Sequence, residues 1–229
     1  MRKFEHVKAV MFDLDNTLIV RAMSLAKVAK YAMRFFFPGR EEEYPALEAL
    51  FCRCYISGYD RHEECFYTFK AESGMDEGIS YPLFKKMWDF YYPFCTTRDP
   101  GVETVLHLKE RGYNVSILTN GPLVQQNAKI DAAGFRPWFS EITVSEAIGV
   151  AKPDPEAFYI ACRNTGFLPE ETVYVGDYGK NDIAGARAAG MPTIWYGAYM
   201  TWDEAIERAD AEIFALPELL ALLPGVSEN

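Results

Sequence analysis

The order of apolar and polar positions divides the chain into two kinds of segment. Residues 7–12 (VKAVMF) form a short, apolar run containing β-branched valines, the pattern of a strand buried on both faces. The pattern returns in YNVSILTN around 113–120, EITVS around 141–145, TVYVGD around 172–177 and MPTIWYG around 191–197. Between these runs lie VETVLHLKERG, LVQQNAKIDAAG and DIAGARAAG, which have helical spacing and each end in the glycine that commonly closes a helix. Alternating strand and helix predicts βα units, and right-handed crossovers would wind them into a doubly wound parallel sheet.

Residues 18–95 break that alternation and contain no strand pattern. Four blocks, AMSLAKVAKYAMRFFF, EEYPALEALFCRCYIS, DRHEECFYTFKAES and SYPLFKKMWDFYY, carry aromatic and aliphatic residues at helical spacing, punctuated by Gly39, Gly58, Gly74, Gly78 and Pro82. The expectation is an all-helical insertion. Residues 1–17 and 96–229 would then build the α/β core, and 18–95 a second, smaller domain over the carboxyl ends of its strands. Tyr59, Phe66, Tyr67, Trp88, Tyr91 and Tyr92 read first as the core of that domain and only second as pocket lining.

Composition narrows the function. A chain of 229 residues with 49% hydrophobic and 15% aromatic residues is long enough for a core and an inserted domain, and has the make-up of a packed protein. Its net charge of −10 argues against nucleic acid and anionic membrane, which reward clustered Lys and Arg. The acidity is uneven: residues 17–95 hold 10 basic and 11 acidic side chains, so nearly all the excess lies elsewhere. No run approaches the roughly 18 apolar residues of a membrane span, so a cytoplasmic chain acting on a small molecule is expected. Cys52, Cys54, Cys65, Cys95 and Cys162 are an odd set that suits reduced thiols. His62 stands near three of them, but Cys-x-Cys is not the spacing of common structural zinc sites. His6 and His107 fall in no ligand spacing. There is no G-x-S-x-G elbow and no H-E-x-x-H, and GDYGKND lacks Walker-loop spacing.

Ligands of open α/β sheets bind beyond the carboxyl ends of the strands, and four of those ends are unusual here. The first strand runs into Asp13-Leu14-Asp15-Asn16-Thr17, with two carboxylates at i and i+2 able to approach one reacting atom; an Asx turn or helix cap would use the same residues. The second ends in Leu118-Thr119-Asn120-Gly121-Pro122, where a hydroxyl and backbone N–H groups before a helix suit either a phosphate seat or an ordinary cap. In Ala151-Lys152-Pro153-Asp154-Pro155, Pro153 keeps Lys152 extended just outside a helix that Asp154 can cap and Pro155 can open, where its ammonium could neutralise an aspartate and a phosphoryl oxygen or simply be a surface lysine. Finally Gly176-Asp177-Tyr178-Gly179-Lys180-Asn181-Asp182 brings two more acids to a strand mouth. Such a cluster is unfavourable without a cation, and hard oxygen ligands point to Mg²⁺.

Taken in order, DLDNT, LTN, AKPDP and GDYGKND resemble the four motifs of the haloacid-dehalogenase-like superfamily. The resemblance spans nearly the whole chain, since the helical segment is similar to that family's α-helical cap. It implies a Rossmann-like core and a mobile cap. It also implies that Asp13 attacks phosphorus and forms an aspartyl phosphate, and that Asp15 acts as general acid and then base. Mg²⁺ would be held by Asp13, the Asp15 carbonyl and Asp177, with Asp182 in support, while Thr119, Asn120 and Lys152 hold the phosphoryl group. Dehalogenases and phosphonatases of this type lack an acid two residues after the nucleophile, and ion-pumping ATPases carry Thr there, so Asp15 favours phosphate-ester hydrolysis. A sugar-phosphate mutase is the alternative, although NTLIVRAMSLAKVAKY lacks the His that mutases usually place there. An inactive phosphate-binding scaffold is the reading from another class. The substrate is expected to be a small phosphate ester. Arg21 is either a contact for its second anionic group or an exposed ion-pair partner, and the oligomeric state is not written in the sequence.

Overall fold

The computed structural model describes residues 4–56 and 62–226, so Gly58 and Tyr59 lie outside the described residues. The chain forms two compact units, one from residues 1–19 with 98–229 and the other from residues 20–97. The seams fall two residues later at each end than the sequence pattern places them. Leu18 and Ile19 belong to the sheet unit because Leu18 accepts a hydrogen bond from the Asp99 amide (2.9 Å), and both side chains are fully buried against the sheet.

The first unit is a parallel sheet of six strands, β1 (Ala9–Phe12), β2 (Asn114–Thr119), β3 (Glu141–Val144), β4 (Thr172–Gly176), β5 (Thr193–Tyr196) and β6 (Ala211–Ile213), in the order β3-β2-β1-β4-β5-β6. The last strand, AEI, was not anticipated. Three residues with one buried side chain carry no apolar run, and pairing with β5 through Ile194, Trp195 and Tyr196 is what makes it a strand. Side chains alternate across the sheet as the pleat requires. Val10, Phe12, Val115, Ile117, Val173 and Val175 face one core, and Met11, Leu118 and Tyr174 the other.

Helices cover both faces, which makes this a doubly wound Rossmann-like α/β fold. α5 (Thr104–Glu110), α6 (Leu123–Ala132) and α10 (Leu219–Leu222) contribute Val105, Leu108, Ile130 and Leu219 to the first core. α8 (Pro155–Thr165) and α9 (Gly185–Ala188) bring Phe158, Ala161 and Ala186 to the second, and α7 (Ser145–Ile148) follows β3 directly. α8 starts as its sequence suggests, with Asp154 accepting from the Glu156 amide and Pro155 in the first turn. The segment before α9 departs from expectation. Residues 179–184 wind as a π-helix, wider than an α-helix, which sets Asp182 inward while Asp182 accepts from the Tyr178 amide at 2.9 Å.

The second unit consists of α1 (Arg21–Phe36), α2 (Tyr44–Tyr55), α3 (His62–Ser73) and α4 (Tyr81–Tyr91). Each buries one stripe: Leu25, Val28, Ala29, Ala32, Met33 and Phe36 on α1, Leu47, Phe51 and Tyr55 on α2, Phe66 and Phe69 on α3, Phe84, Met87 and Trp88 on α4. Aromatic rings dominate the interior. Tyr55 stacks on Trp88 at 5.0 Å, and Trp88 on Tyr92 at 4.8 Å. Phe66, Trp88 and Tyr92 are thus core, whereas Tyr67 is exposed. Among the described residues no helix is long and apolar enough to cross a membrane.

Strand order reverses at β1, which lies between β2 and β4 and starts the chain's progression in both directions. Register aligns Phe12 with Ile117 and with Val175, so the residues that follow on the three strands emerge side by side. Replacing the fully buried Ile117 by Ala should therefore cost about 2–5 kcal/mol of stability. Urea unfolding monitored by circular dichroism checks this; a loss near zero would mean that β2 is not locked into the sheet.

Candidate active site

Four loops meet at the carboxyl edge of β1, β2 and β4, and they carry the residues singled out in the sequence. Asp13 follows β1 directly, its amide donating to the Val175 carbonyl (2.9 Å), so its position is fixed by the sheet ladder. The turn after it is tight: the Leu14 carbonyl accepts from the amides of Leu18 and Ile19, both at 3.0 Å. Asn16 takes a left-handed backbone conformation (φ 60°), which asparagine tolerates better than most residues.

Lys152 is the hub. Its Nζ lies 2.6 Å from Asp13 Oδ1, 2.7 Å from Asp182 Oδ1 and 2.7 Å from the Tyr174 hydroxyl, which matches the three hydrogens of an ammonium. The Tyr174 hydroxyl in turn donates to the Leu118 carbonyl at 3.0 Å. Asn120 holds the other end of Lys152, donating from Nδ2 to its carbonyl (2.8 Å) and accepting its amide on Oδ1 (2.9 Å). Lys152 is therefore fixed by its backbone to the loop after β2 and by its side chain to β1, β4 and the π-helical turn.

Asp13, Asp177 and Asp182 are all buried and bring carboxylate oxygens within 4.8 Å of one another. Burial pushes the Asp13 carboxyl up to about 7, helped by Asp182 and Asp15 and opposed by Lys152. Asp177 is raised well above the ordinary carboxylate range by burial, then by Asp182 and Asp13. Burial alone would lower Lys152, but Asp13 and Asp182 outweigh it and hold the ammonium charged. Three crowded carboxylates against one lysine leave uncompensated negative charge. An all-oxygen donor set of this kind suits a hard divalent cation. Gly176 is required beside it, because a Cβ there would come within 2.6 Å of the Asp182 carboxyl.

The Asp15 carboxylate is bonded from α6. Both its oxygens lie 2.9 Å from Lys129 Nζ, and Gln126 Nε2 approaches Oδ2 at 3.1 Å. Gln126 also donates to Thr119 Oγ1 (2.6 Å) and meets the Asn120 carbonyl (3.1 Å). The Gly121 amide donates to Ser145 Oγ at 3.0 Å, and the Leu123 amide to Glu146 at 2.6 Å.

The structure thus joins Asp13, Lys152, Asp177 and Asp182 in one cluster and links Asn120 to it through the Lys152 backbone, while Thr119 and the Asp15 side chain are bonded from α6. Gln126, Lys129 and Tyr174 were missed by sequence reasoning. A signal existed: Gln126 and Lys129 lie on the same helix stripe as Ile130, and a polar pair on a buried face calls for a partner. Trp195 was missed too; its indole N–H donates to the Asp177 carbonyl at 2.6 Å. Arg21, in the helical unit, is buried rather than exposed and gives a guanidinium N–H to the Tyr55 carbonyl (3.0 Å).

A family model described as haloacid dehalogenase-like hydrolase matches residues 7–190. A glyceraldehyde 3-phosphate phosphatase of Pyrococcus furiosus is 40% identical, over 95% of this chain and 93% of its own length. A phosphoglycolate phosphatase of Shigella dysenteriae is 27% identical over 100% of this chain and 98% of its own. Among solved structures, the magnesium-bound HAD hydrolase YfnB of Bacillus subtilis is similar in fold, with a TM-score of 0.74 at 23% identity, covering 94% of this chain and 98% of that one.

Lys152→Met tests the charge balance. The folded-state value of Asp13 lies above its reference of 3.8, so its contribution favours folding at low pH and is lost as pH rises through about 7. Removing the ammonium strengthens that effect. In metal-free buffer the substitution should cost about 3–5 kcal/mol at pH 8, where two carboxylates lose their partner, and clearly less at pH 5. Urea unfolding at both pH values measures it; equal losses would refute the assigned charges.

Proposed function

The chain belongs to the haloacid dehalogenase-like hydrolase family, and from that premise we propose that it is a phosphatase hydrolysing a small phosphate ester through Asp13. The observation that carries this reading is the buried contact of Lys152 with Asp13 at 2.6 Å, beside an acid cluster suited to a cation. Asp13 stands at the mouth of β1 as a carboxylate whose position is set by backbone bonds, as an in-line nucleophile requires. Lys152, with its three hydrogens engaged by Asp13, Asp182 and Tyr174, shields the charge of Asp13 from the incoming phosphoryl oxygens and attracts them by its positive charge. The Thr119 hydroxyl and the Asn120 amide, at the end of β2, serve the remaining oxygens.

Asp15 protonates the departing alkoxide, then accepts a proton from the water that cleaves the aspartyl phosphate, returning Asp13 as carboxylate and releasing phosphate. Asp13 and Asp177, supported by Asp182, fit Mg²⁺ as hard oxygen donors, and the Asp15 carbonyl is assigned as a further ligand. Bound Mg²⁺ supplies positive charge that offsets the clustered carboxylates and the phosphoryl oxygens. The helical unit is assigned as the cap domain. The relatives named for glyceraldehyde 3-phosphate and phosphoglycolate direct the substrate reading to two- and three-carbon phosphate esters. No nucleic acid is assigned as a partner, and the cytosol is the proposed compartment.

A panel of phosphomonoesters including those two compounds, assayed for phosphate release with Mg²⁺ and with excess chelator, tests the proposal. Release from short-chain phosphates that stops in chelator is expected, and equal turnover in chelator would sink the metal assignment. Asp13→Asn should abolish turnover and the phosphoenzyme burst together. Asp177→Asn should raise the Mg²⁺ concentration needed for half-maximal rate by about tenfold or more. An unchanged requirement would remove Asp177 from the metal site.

A further inference from the structure

Gln126 and Lys129 lie one turn apart on α6 and are among the most buried polar side chains of the molecule, at 1% and 4% exposure. Neither belongs to the four motif segments. Both reach the site from the side, and both address Asp15: Lys129 spans its two oxygens at 2.9 Å, and Gln126 approaches Oδ2 at 3.1 Å. Burying a lysine and an amide on an apolar helix face is unfavourable unless they are bonded, so the two depend on Asp15 as Asp15 depends on them. The same Nε2 of Gln126 donates to Thr119 Oγ1 at 2.6 Å. With an N–H directed at its oxygen, the Thr119 hydroxyl is turned to donate its own hydrogen, which is the role a phosphoryl oxygen needs.

We infer that Lys129 and Gln126 are positioning residues for the reaction: Lys129 fixes the Asp15 carboxylate, and Gln126 couples it to the Thr119 phosphate seat, so that one helix aligns both. This rests on the phosphatase reading above. The two residues have separable duties. Lys129 bonds both oxygens of Asp15, whereas the Thr119 hydroxyl is bonded by Gln126, so loss of Lys129 frees the acid/base while leaving substrate binding nearly unchanged. Gln126 touches both, and its amide has two hydrogens for three acceptors, Asp15, Thr119 and the Asn120 carbonyl. Its loss therefore disturbs binding and turnover together. Positional freedom of a reacting group commonly lowers rates by about 10- to 100-fold.

The step most exposed is the second. A nitrophenolate leaves Asp13-bound phosphorus without help, but water must still give a proton to a well-placed Asp15 before the aspartyl phosphate is cleaved. Rapid-quench kinetics of wild type, Lys129→Met, Lys129→Arg and Gln126→Leu, with nitrophenyl phosphate and with the best alkyl ester of the panel, make the test. For Lys129→Met we expect kcat to fall about 10- to 100-fold with KM within about twofold, and a retained burst followed by slow turnover with nitrophenyl phosphate. Lys129→Arg should recover part of the rate, and Gln126→Leu should raise KM as well as lower kcat.

A raised KM with unchanged kcat in Lys129→Met would make Lys129 a substrate contact and overturn the proposal. So would equal losses in burst rate and steady-state rate. Lys129→Gln, which keeps a donor but no charge, is read by the same criteria if Lys129→Met does not fold. Wild type that releases phosphate from no ester would refute the phosphatase reading and this one with it, whereas an active wild type beside an unaltered Lys129→Met sinks the positioning role alone.

Discussion

Everything at the carboxyl edge of the sheet is organised around a single buried ammonium. Lys152 distributes its three hydrogens among Asp13, Asp182 and Tyr174, and through them it ties β1, β4 and the π-helical turn to the loop that Asn120 anchors after β2. A lysine that deep is tolerable only while those partners surround it, and carboxylates that close to one another are tolerable only while it stays. Folding and chemistry are therefore satisfied by the same contacts. The residual negative charge left by Asp177 is the imbalance that a cation would settle.

The central strands were legible in the sequence because they are buried on both faces and so read as unbroken apolar runs. The four helices of residues 20–97 were legible for the opposite reason, their one-sided stripes of Phe, Tyr, Leu and Met. β6 was not, since its three residues become a strand only by pairing with β5. The motif residues announced themselves by their place at strand ends. Gln126, Lys129 and Tyr174 did not, because polar residues inside a helix or an apolar strand are ordinarily assigned to the solvent face. The helix stripe shows that Gln126 and Lys129 need partners, but the three-dimensional arrangement is what identifies that partner as Asp15, and the partner of Tyr174 as Lys152.

The alternation of the sheet explains how one strand can serve two purposes. In β4 the valines at 173 and 175 pack into one core while Tyr174 points into the other, where it lies against Phe158 (ring centroids 5.0 Å apart) and still reaches Lys152 and the Leu118 carbonyl with its hydroxyl. Its burial keeps that hydroxyl protonated, since burial and the neighbouring carboxylates outweigh the effect of Lys152. A phenylalanine would fill the same volume and leave one lysine hydrogen unclaimed. The cores are thus not inert packing beneath the site; one of them supplies a ligand to its central charge.

Trp195 has a consequence of a different kind. Its indole N–H is bonded to the backbone of Asp177, and its ring is packed edge-on to Trp202 and Phe214 at centroid distances of 5.1 and 6.0 Å. Indole emission is sensitive to the polarity around that N–H, so a rearrangement of the Asp177 loop would alter the share that Trp195, one of four tryptophans, contributes to the emission. The protein carries its own spectroscopic gauge of the acid cluster, readable in solution without a label.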